Sequence, residues 1–199
     1  MPYVHLIYPE RTDEAMEKYR VVGENQLRFL QSQGLHPDHR VLDVGCGSLR
    51  GGEWLIDYLD AGNYVGLEKD PEMLRKARII EAQYEAKRPL VVETASFEAQ
   101  VGRMFDYGIA HSLFTHLLPE QIVVCLSKVL PQTSVFYATF NRADEPQTGR
   151  VHKNRTDERS ITRFPFALLR DIAEELGATA KDLGDFDHPN GQQMAEFRL

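Results

Sequence analysis

The segment Val41-Leu42-Asp43-Val44-Gly45-Cys46-Gly47-Ser48-Leu49-Arg50-Gly51-Gly52 constrains this chain more than any other. An apolar run ends in a carboxylate, and glycines follow where a strand would turn into a helix. α/β proteins receive adenosine-bearing cofactors at such a turn, on the carboxyl edge of a sheet. Cofactor classes can be weighed on these residues directly. A triphosphate-cradling loop requires Gly-x-x-x-x-Gly-Lys, and after Gly47 and Gly52 the next residue is Glu53. A carboxylate where phosphates need an ammonium repels them, so that reading fails. A dinucleotide loop requires Gly-x-Gly-x-x-Gly, its third glycine allowing close helix–strand packing. Gly45 and Gly47 fit, but Arg50 stands third and is far too large. The dinucleotide reading is weakened but stays open.

Asp-x-Gly-x-Gly after an apolar strand resembles the first motif of class I S-adenosylmethionine-dependent methyltransferases. Their cofactor carries no phosphate, so the loop needs only to let the methionine part lie against the backbone. The resemblance implies that Gly45, Cys46 and Gly47 hold that part. It also implies that Asp43 holds the loop or, through water, the cofactor's ammonium. The family often has a further glycine where this chain has Leu49, which leaves the loop's path open.

Tyr64–Glu68 reads as the second strand, its closing carboxylate 25 residues after Asp43. An acid at that place accepts hydrogen bonds from ribose hydroxyls in dinucleotide and methyltransferase sites alike. Glu68, with Lys69 beside it, therefore supports adenosine without choosing between them. The third strand, Leu90–Thr94, leads into Ala95-Ser96-Phe97-Glu98. The resemblance sets Ser96 and Phe97 against the adenine, although an aspartate is more usual there. The fourth strand, Phe105–Ala110, is followed by His111-Ser112-Leu113-Phe114-Thr115-His116-Leu117. The phrase Phe-Asp-x-x-x-x-x-Ser-x-Phe-Thr-His-Leu resembles a stretch recurring in bacterial class I methyltransferases acting on small molecules. It implies that His111 and Phe114 border the sulfonium and that His116 lies near the pocket mouth. Both histidines are candidate catalytic bases, since imidazole titrates near neutrality. A sulfonium is already a strong methyl donor, so proximity, orientation and desolvation can suffice. Packing or helix capping is the plainer role for both rings.

With 199 residues, 42% of them hydrophobic, the chain can bury one substantial core as a single domain, residues 1–199. Its net charge of −7 argues against nucleic acid, which is bound largely through basic surface. There is no apolar run long enough for a membrane span and no signal peptide at Met1-Pro2-Tyr3. Two cysteines in unrelated settings suggest neither a disulfide framework nor a metal site, and the cytoplasm is the default compartment.

Elsewhere, residues 1–34 read as a helical cover, running from an N-cap at Thr12 or Asp13 to a stop at Gly34. Asp70-Pro71 opens a helix expected to reach about Lys87. Cys125 sits in apolar company and reads as core. Residues 141–160 are dense in charge and lack helical or strand periodicity. Such a loop is usually functional or disordered, and here it suggests a mobile lid. Arg142, Arg150, His152, Lys153 and Arg155 would then face an anionic acceptor; otherwise the loop is simply solvated. Thr179–Leu183 and Gln193–Leu199 read as strands joined without a helix, so they pair antiparallel or part. A terminal antiparallel strand inserted in a parallel sheet marks the methyltransferase fold, and dinucleotide domains lack it.

The expectation is therefore a three-layer, Rossmann-like α/β domain with a seven-stranded, mostly parallel sheet and an antiparallel last strand. The resemblance implies methyl transfer from S-adenosyl-L-methionine to a small-molecule acceptor, leaving S-adenosyl-L-homocysteine, with no metal. A nicotinamide-dependent oxidoreductase and a catalytically silent cofactor-binding protein stay open beside it.

Overall fold

A computed structural model of the chain describes residues 3–99, 101–150 and 160–199. Five strands, β1 (Val41–Val44), β2 (Tyr64–Glu68), β3 (Leu90–Glu93), β4 (Phe105–Ala110) and β5 (Thr133–Phe140), form a parallel array. Two more strands, β8 (Thr179–Asp185) and β9 (Gln193–Arg198), complete a seven-stranded sheet of order β3-β2-β1-β4-β5-β9-β8. β9 is antiparallel to both of its neighbours. The physical reason lies in the connection: residues 186–192 contain no helix, so the chain reverses and slots β9 between β5 and β8.

Helices cover both faces: α1 (Asp13–Ser32), α2 (Gly52–Tyr58) and α3 (Pro71–Glu81) on one, α4 (Pro119–Val129) and α5 (Phe166–Glu175) on the other. The period-two alternation of β1 divides its side chains between them. Leu42 and Val44 join the core under α4 and α5, whereas Val41 joins the core under α1 to α3. Asp43 shares Val41's parity, so its carboxylate enters the α1–α3 side and is 3% exposed.

Sequence signals at the helix ends act as expected. Thr12 caps α1, its hydroxyl accepting from the Ala15 N–H at 3.3 Å. At the other end Gly34 (φ +93°) reverses the chain, and the N–H groups of Gly34 and Leu35 donate back to Gln31 and Leu30. The Asp70 carboxylate accepts from Glu72 and Met73 N–H at the start of α3.

Two expectations need correction. The helix from Pro71 does not run regularly to Lys87. It ends at Glu81, and a 3-10 segment, Ala82–Lys87, follows with a kink at Tyr84 (φ −113°, ψ +33°). Nor are residues 141–160 one irregular loop. Strands β6 (Gln147–Arg150) and β7 (Ser160–Arg163) pair antiparallel as a hairpin. Arg142 is bonded to Gln193 and, at 2.5 Å, to Asp182, so its guanidinium is engaged by β9 and β8. His152, Lys153 and Arg155 lie outside the described residues. Among the described residues, no helix is long and apolar enough to cross a membrane, and no cluster of His, Cys, Asp and Glu could hold a metal ion.

Candidate functional site

A cavity of about 690 Å³ opens at the carboxyl edges of β1, β2 and β4, beneath α1. Its size lies within the range of small-molecule sites. The loop after β1 forms its floor. Gly45 (φ +72°) and Gly47 (φ +57°) are both left-handed, a conformation that glycine adopts at little cost. They differ in what faces them. A side chain at Gly45 would press on Leu113, whereas one at Gly47 would meet none of the described residues within 4 Å.

Two of the candidate carboxylates tie this floor together. The Tyr64 hydroxyl donates to Asp43 Oδ2 at 2.8 Å, and burial raises the Asp43 pKa to about 6 against that bond. The Glu68 carboxylate accepts three backbone N–H groups at 2.8 Å: Gly47 on Oε2, and Lys69 and Asp70 on Oε1. A carboxylate has about four acceptor positions, so one remains, on Oε2. Glu68 as placed can take one further donor, and a bidentate grip on a diol requires Gly47 N–H to move. Cys46 is buried, its thiol pushed up well above its ordinary pKa by burial and by Asp43 and Glu68.

The Ser48-Leu49-Arg50 segment has three separate jobs. Ser48 Oγ hydrogen bonds to the hydroxyls of Tyr8 (3.1 Å) and Tyr19 (2.8 Å), fastening the N-terminal cover to the loop. Leu49 adopts φ +64° although it is not glycine, and its side chain is 1% exposed. Arg50 turns into the cavity. Its closest polar contact is Ser112 Oγ at 3.5 Å, and it has no carboxylate partner among the described residues. Gly51 and Gly52 do not serve the cavity in the same way as Gly47. Side chains there would collide with Gln26 of α1 and with the Tyr64 hydroxyl, so these glycines let neighbouring elements approach. Gly23 of α1 does the same against the Arg50 carbonyl.

His111 walls the cavity at the end of β4, 7% exposed, and neither ring nitrogen has a hydrogen-bond partner among the described residues. Burial, then the charge of Arg50, then His188 hold its pKa well below 6.5. Ser112 follows at φ +65°; its N–H donates to Thr139 Oγ1 and its hydroxyl to Gln192 Oε1. His116 is exposed and borders the cavity.

The structure thus gathers Asp43, Gly45, Cys46, Gly47, Glu68, Lys69, His111 and His116 around one cavity. It does not bring Ser96, Phe97 or Phe114 to that wall. Ser96 is exposed and bonded to Thr94. Phe97 (φ +61°) packs on the core beside α4 and α5, and Phe114 is fully buried among Phe136 and Phe197. Sequence reasoning missed Tyr8, Arg11, Tyr19, Arg50 and Asn190, all of which line the cavity. Only Arg50 gave a signal, as a residue too large for the place it held.

The sequence matches no protein-family model and no curated relative. Solved structures do match. The glycopeptide N-methyltransferase MtfA, complexed with S-adenosyl-L-methionine, superposes with TM-score 0.69 at 11% identity, over 89% of this chain and 93% of that one. Magnesium protoporphyrin IX methyltransferase from Synechocystis PCC 6803 gives 0.65 at 16% identity, over 100% and 90%. The CcbJ methyltransferase from Streptomyces caelestis gives 0.66 at 16%, over 89% and 90%. The chain has the class I methyltransferase fold. Within that fold the inserted β9 and the glycine loop after β1 occur together here, two features independent in sequence.

Proposed function

We propose that the protein is an S-adenosyl-L-methionine-dependent methyltransferase acting on a small-molecule acceptor in the cytoplasm. The observation that carries this reading is the left-handed Gly47, open to a cavity whose rim holds the Glu68 carboxylate. That geometry lets a ligand lie against the side-chain-free backbone at Gly47 with an acid directly beside it, which fits an adenosine joined to an amino acid. The neighbouring structures support it, two of them having been determined with S-adenosyl-L-methionine. A dinucleotide is disfavoured by Arg50, which occupies the cavity where a pyrophosphate loop needs a third glycine.

When bound, the cofactor supplies an electrophilic methyl group for in-line attack by the acceptor. The chain's own residues position and desolvate. Gly45, Cys46 and Gly47 would flank the amino-acid end, and Glu68 would receive one ribose hydroxyl. Ser96 and Phe97 would reach the adenine only by a rearrangement of the loop after β3. His111 and His116 border the space left for the acceptor. α1 and Tyr8, held through Ser48, line one side of the site, and the displacement of water from it by a bound ligand would strengthen the electrostatics inside.

The test is incubation with methyl-labelled S-adenosyl-L-methionine and a panel of small acceptors. Label entering an acceptor with equal formation of S-adenosyl-L-homocysteine supports the assignment. Tight binding with no transfer across the panel would favour a silent cofactor-binding protein.

A further inference from the structure

The β8–β9 connection carries a second histidine beside the first. His188 is 5% exposed, and its ring lies 4.9 Å from that of His111, centroid to centroid, tilted by 48°. Its Nδ1 accepts the Asn190 backbone N–H at 3.1 Å. A ring nitrogen that accepts carries no proton, so the neutral ring has its proton on Nε2. Neutrality is secured by burial and by Arg50, which push the His188 pKa down to about 4 against the opposing charge of Asp185. Yet Nε2 is buried and bonds to nothing among the described residues, as is true of both nitrogens of His111. Buried donors and acceptors are rarely left so. At this separation the rings are neighbours with complementary unsatisfied groups, a His188 Nε2–H donor and the one accepting nitrogen of a neutral His111. A turn of the His111 ring toward His188 would leave the His188 Nδ1 bond to Asn190 in place.

We propose that His188 is a positioning residue whose Nε2–H bonds His111, fixing His111 as a hydrogen-bond donor to a ligand carboxylate in the cavity. The bond occupies the one lone-pair nitrogen of a neutral imidazole, and the other nitrogen carries the proton. His111 then has no site to receive a proton from an acceptor, so it is a donor and not a base. Arg50, on the same wall and without a carboxylate partner among the described residues, supplies the complementary charge. Among the described residues, Asn25 Oδ1 is a competing acceptor, buried and unbonded, on a side chain whose amide donates to the Phe186 and Asp187 carbonyls next to His188. The nature of the ligand rests on the methyl-transfer reading; the state of the two rings does not.

Long-range proton–nitrogen-15 spectra of the free protein at neutral pH read both tautomers. Expected are His188 in its Nε2–H form and His111 in a single neutral form. His188→Phe should turn His111 into a tautomer mixture, and His188→Gln, which keeps an N–H near the Nε2 position, should restore the single form. An Nδ1–H form of His188, His111 signals indifferent to His188→Phe, or a response of the His188 N–H to Asn25→Ala but not to His111→Phe would overturn the proposal. Saturation with S-adenosylhomocysteine should shift the His111 N–H, and 5′-methylthioadenosine, which lacks the carboxylate, should not. Calorimetric binding of S-adenosylhomocysteine without that shift also overturns it. Failure of the wild type to bind S-adenosylhomocysteine at all would overturn the methyl-transfer reading instead, leaving the spectra of the free protein to decide the histidine pair.

Discussion

Replacing Asp43 with asparagine should change how stability depends on pH, in a direction opposite to the usual behaviour of a carboxylate. Asp43 is 3% exposed, and its folded pKa is raised from 3.8 to about 6 by burial, which outweighs the bond from Tyr64. A raised pKa means that the folded state holds the proton more tightly than the unfolded chain. This contribution is therefore fully present below about pH 3.8 and is lost as pH rises through about 6. The difference between the two pKa values corresponds to about 3 kcal/mol. An asparagine side chain cannot ionise, so the Asp43→Asn protein should gain about 3 kcal/mol on the wild type between roughly pH 3.5 and 7. For a domain of this length that is a relative rise in Tm of roughly 6–12 °C. Urea or thermal melts of both proteins at half-unit pH intervals measure it, and the comparison cancels the titrating groups that do not interact with Asp43. A difference between the two proteins that stays flat with pH, or one that moves in the wild type's favour, would refute the argument that Asp43 is a desolvated acid.

Two further substitutions probe the loop. Leu49→Ala should cost about 2–5 kcal/mol through the buried space it empties, while Leu49→Gly, relieved of the left-handed strain, should cost about 1 kcal/mol less. This reverses the usual order of Ala and Gly, and denaturant melts that keep the usual order would contradict it. Gly23→Ala should destabilise by about 1–3 kcal/mol, because the new methyl strikes the Arg50 carbonyl. Helix propensity alone predicts a gain of about 1 kcal/mol, so the sign of the change in melts decides.

What was legible in the sequence was local or topological. Asp43, Gly45, Gly47 and Glu68 sit at strand ends, where a period of two and a turn residue suffice to place them. The reversed β9 followed from a connection too poor in helix formers to cross the sheet. The hairpin was missed because Gln147-Thr148-Gly149-Arg150 offers no apolar alternation, and its pairing with Ser160–Arg163 supplies what the pattern lacks. The kink at Tyr84 was hidden because Ala82–Lys87 are good helix formers, and tertiary packing overrode that preference. Arg50 was weighed only as a wrong glycine, since its value depends on Ser112, 62 residues away. His188 is 77 residues from His111 in a segment that reads as a turn, and nothing local joins them. Phe114 belongs to a motif, but burial against Phe136 and Phe197 gives it to the core.

The central claim is that Gly47 and Glu68 frame a site for an adenosine joined to an amino acid. Isothermal titration of the wild type and of Glu68→Ala with S-adenosylhomocysteine, and of the wild type with NAD, tests it most directly. The account predicts one-to-one binding of S-adenosylhomocysteine by the wild type and no binding of NAD. It also predicts roughly tenfold or greater weakening in Glu68→Ala, the loss of a hydrogen bond to a charged group. Binding of NAD without binding of S-adenosylhomocysteine would contradict it.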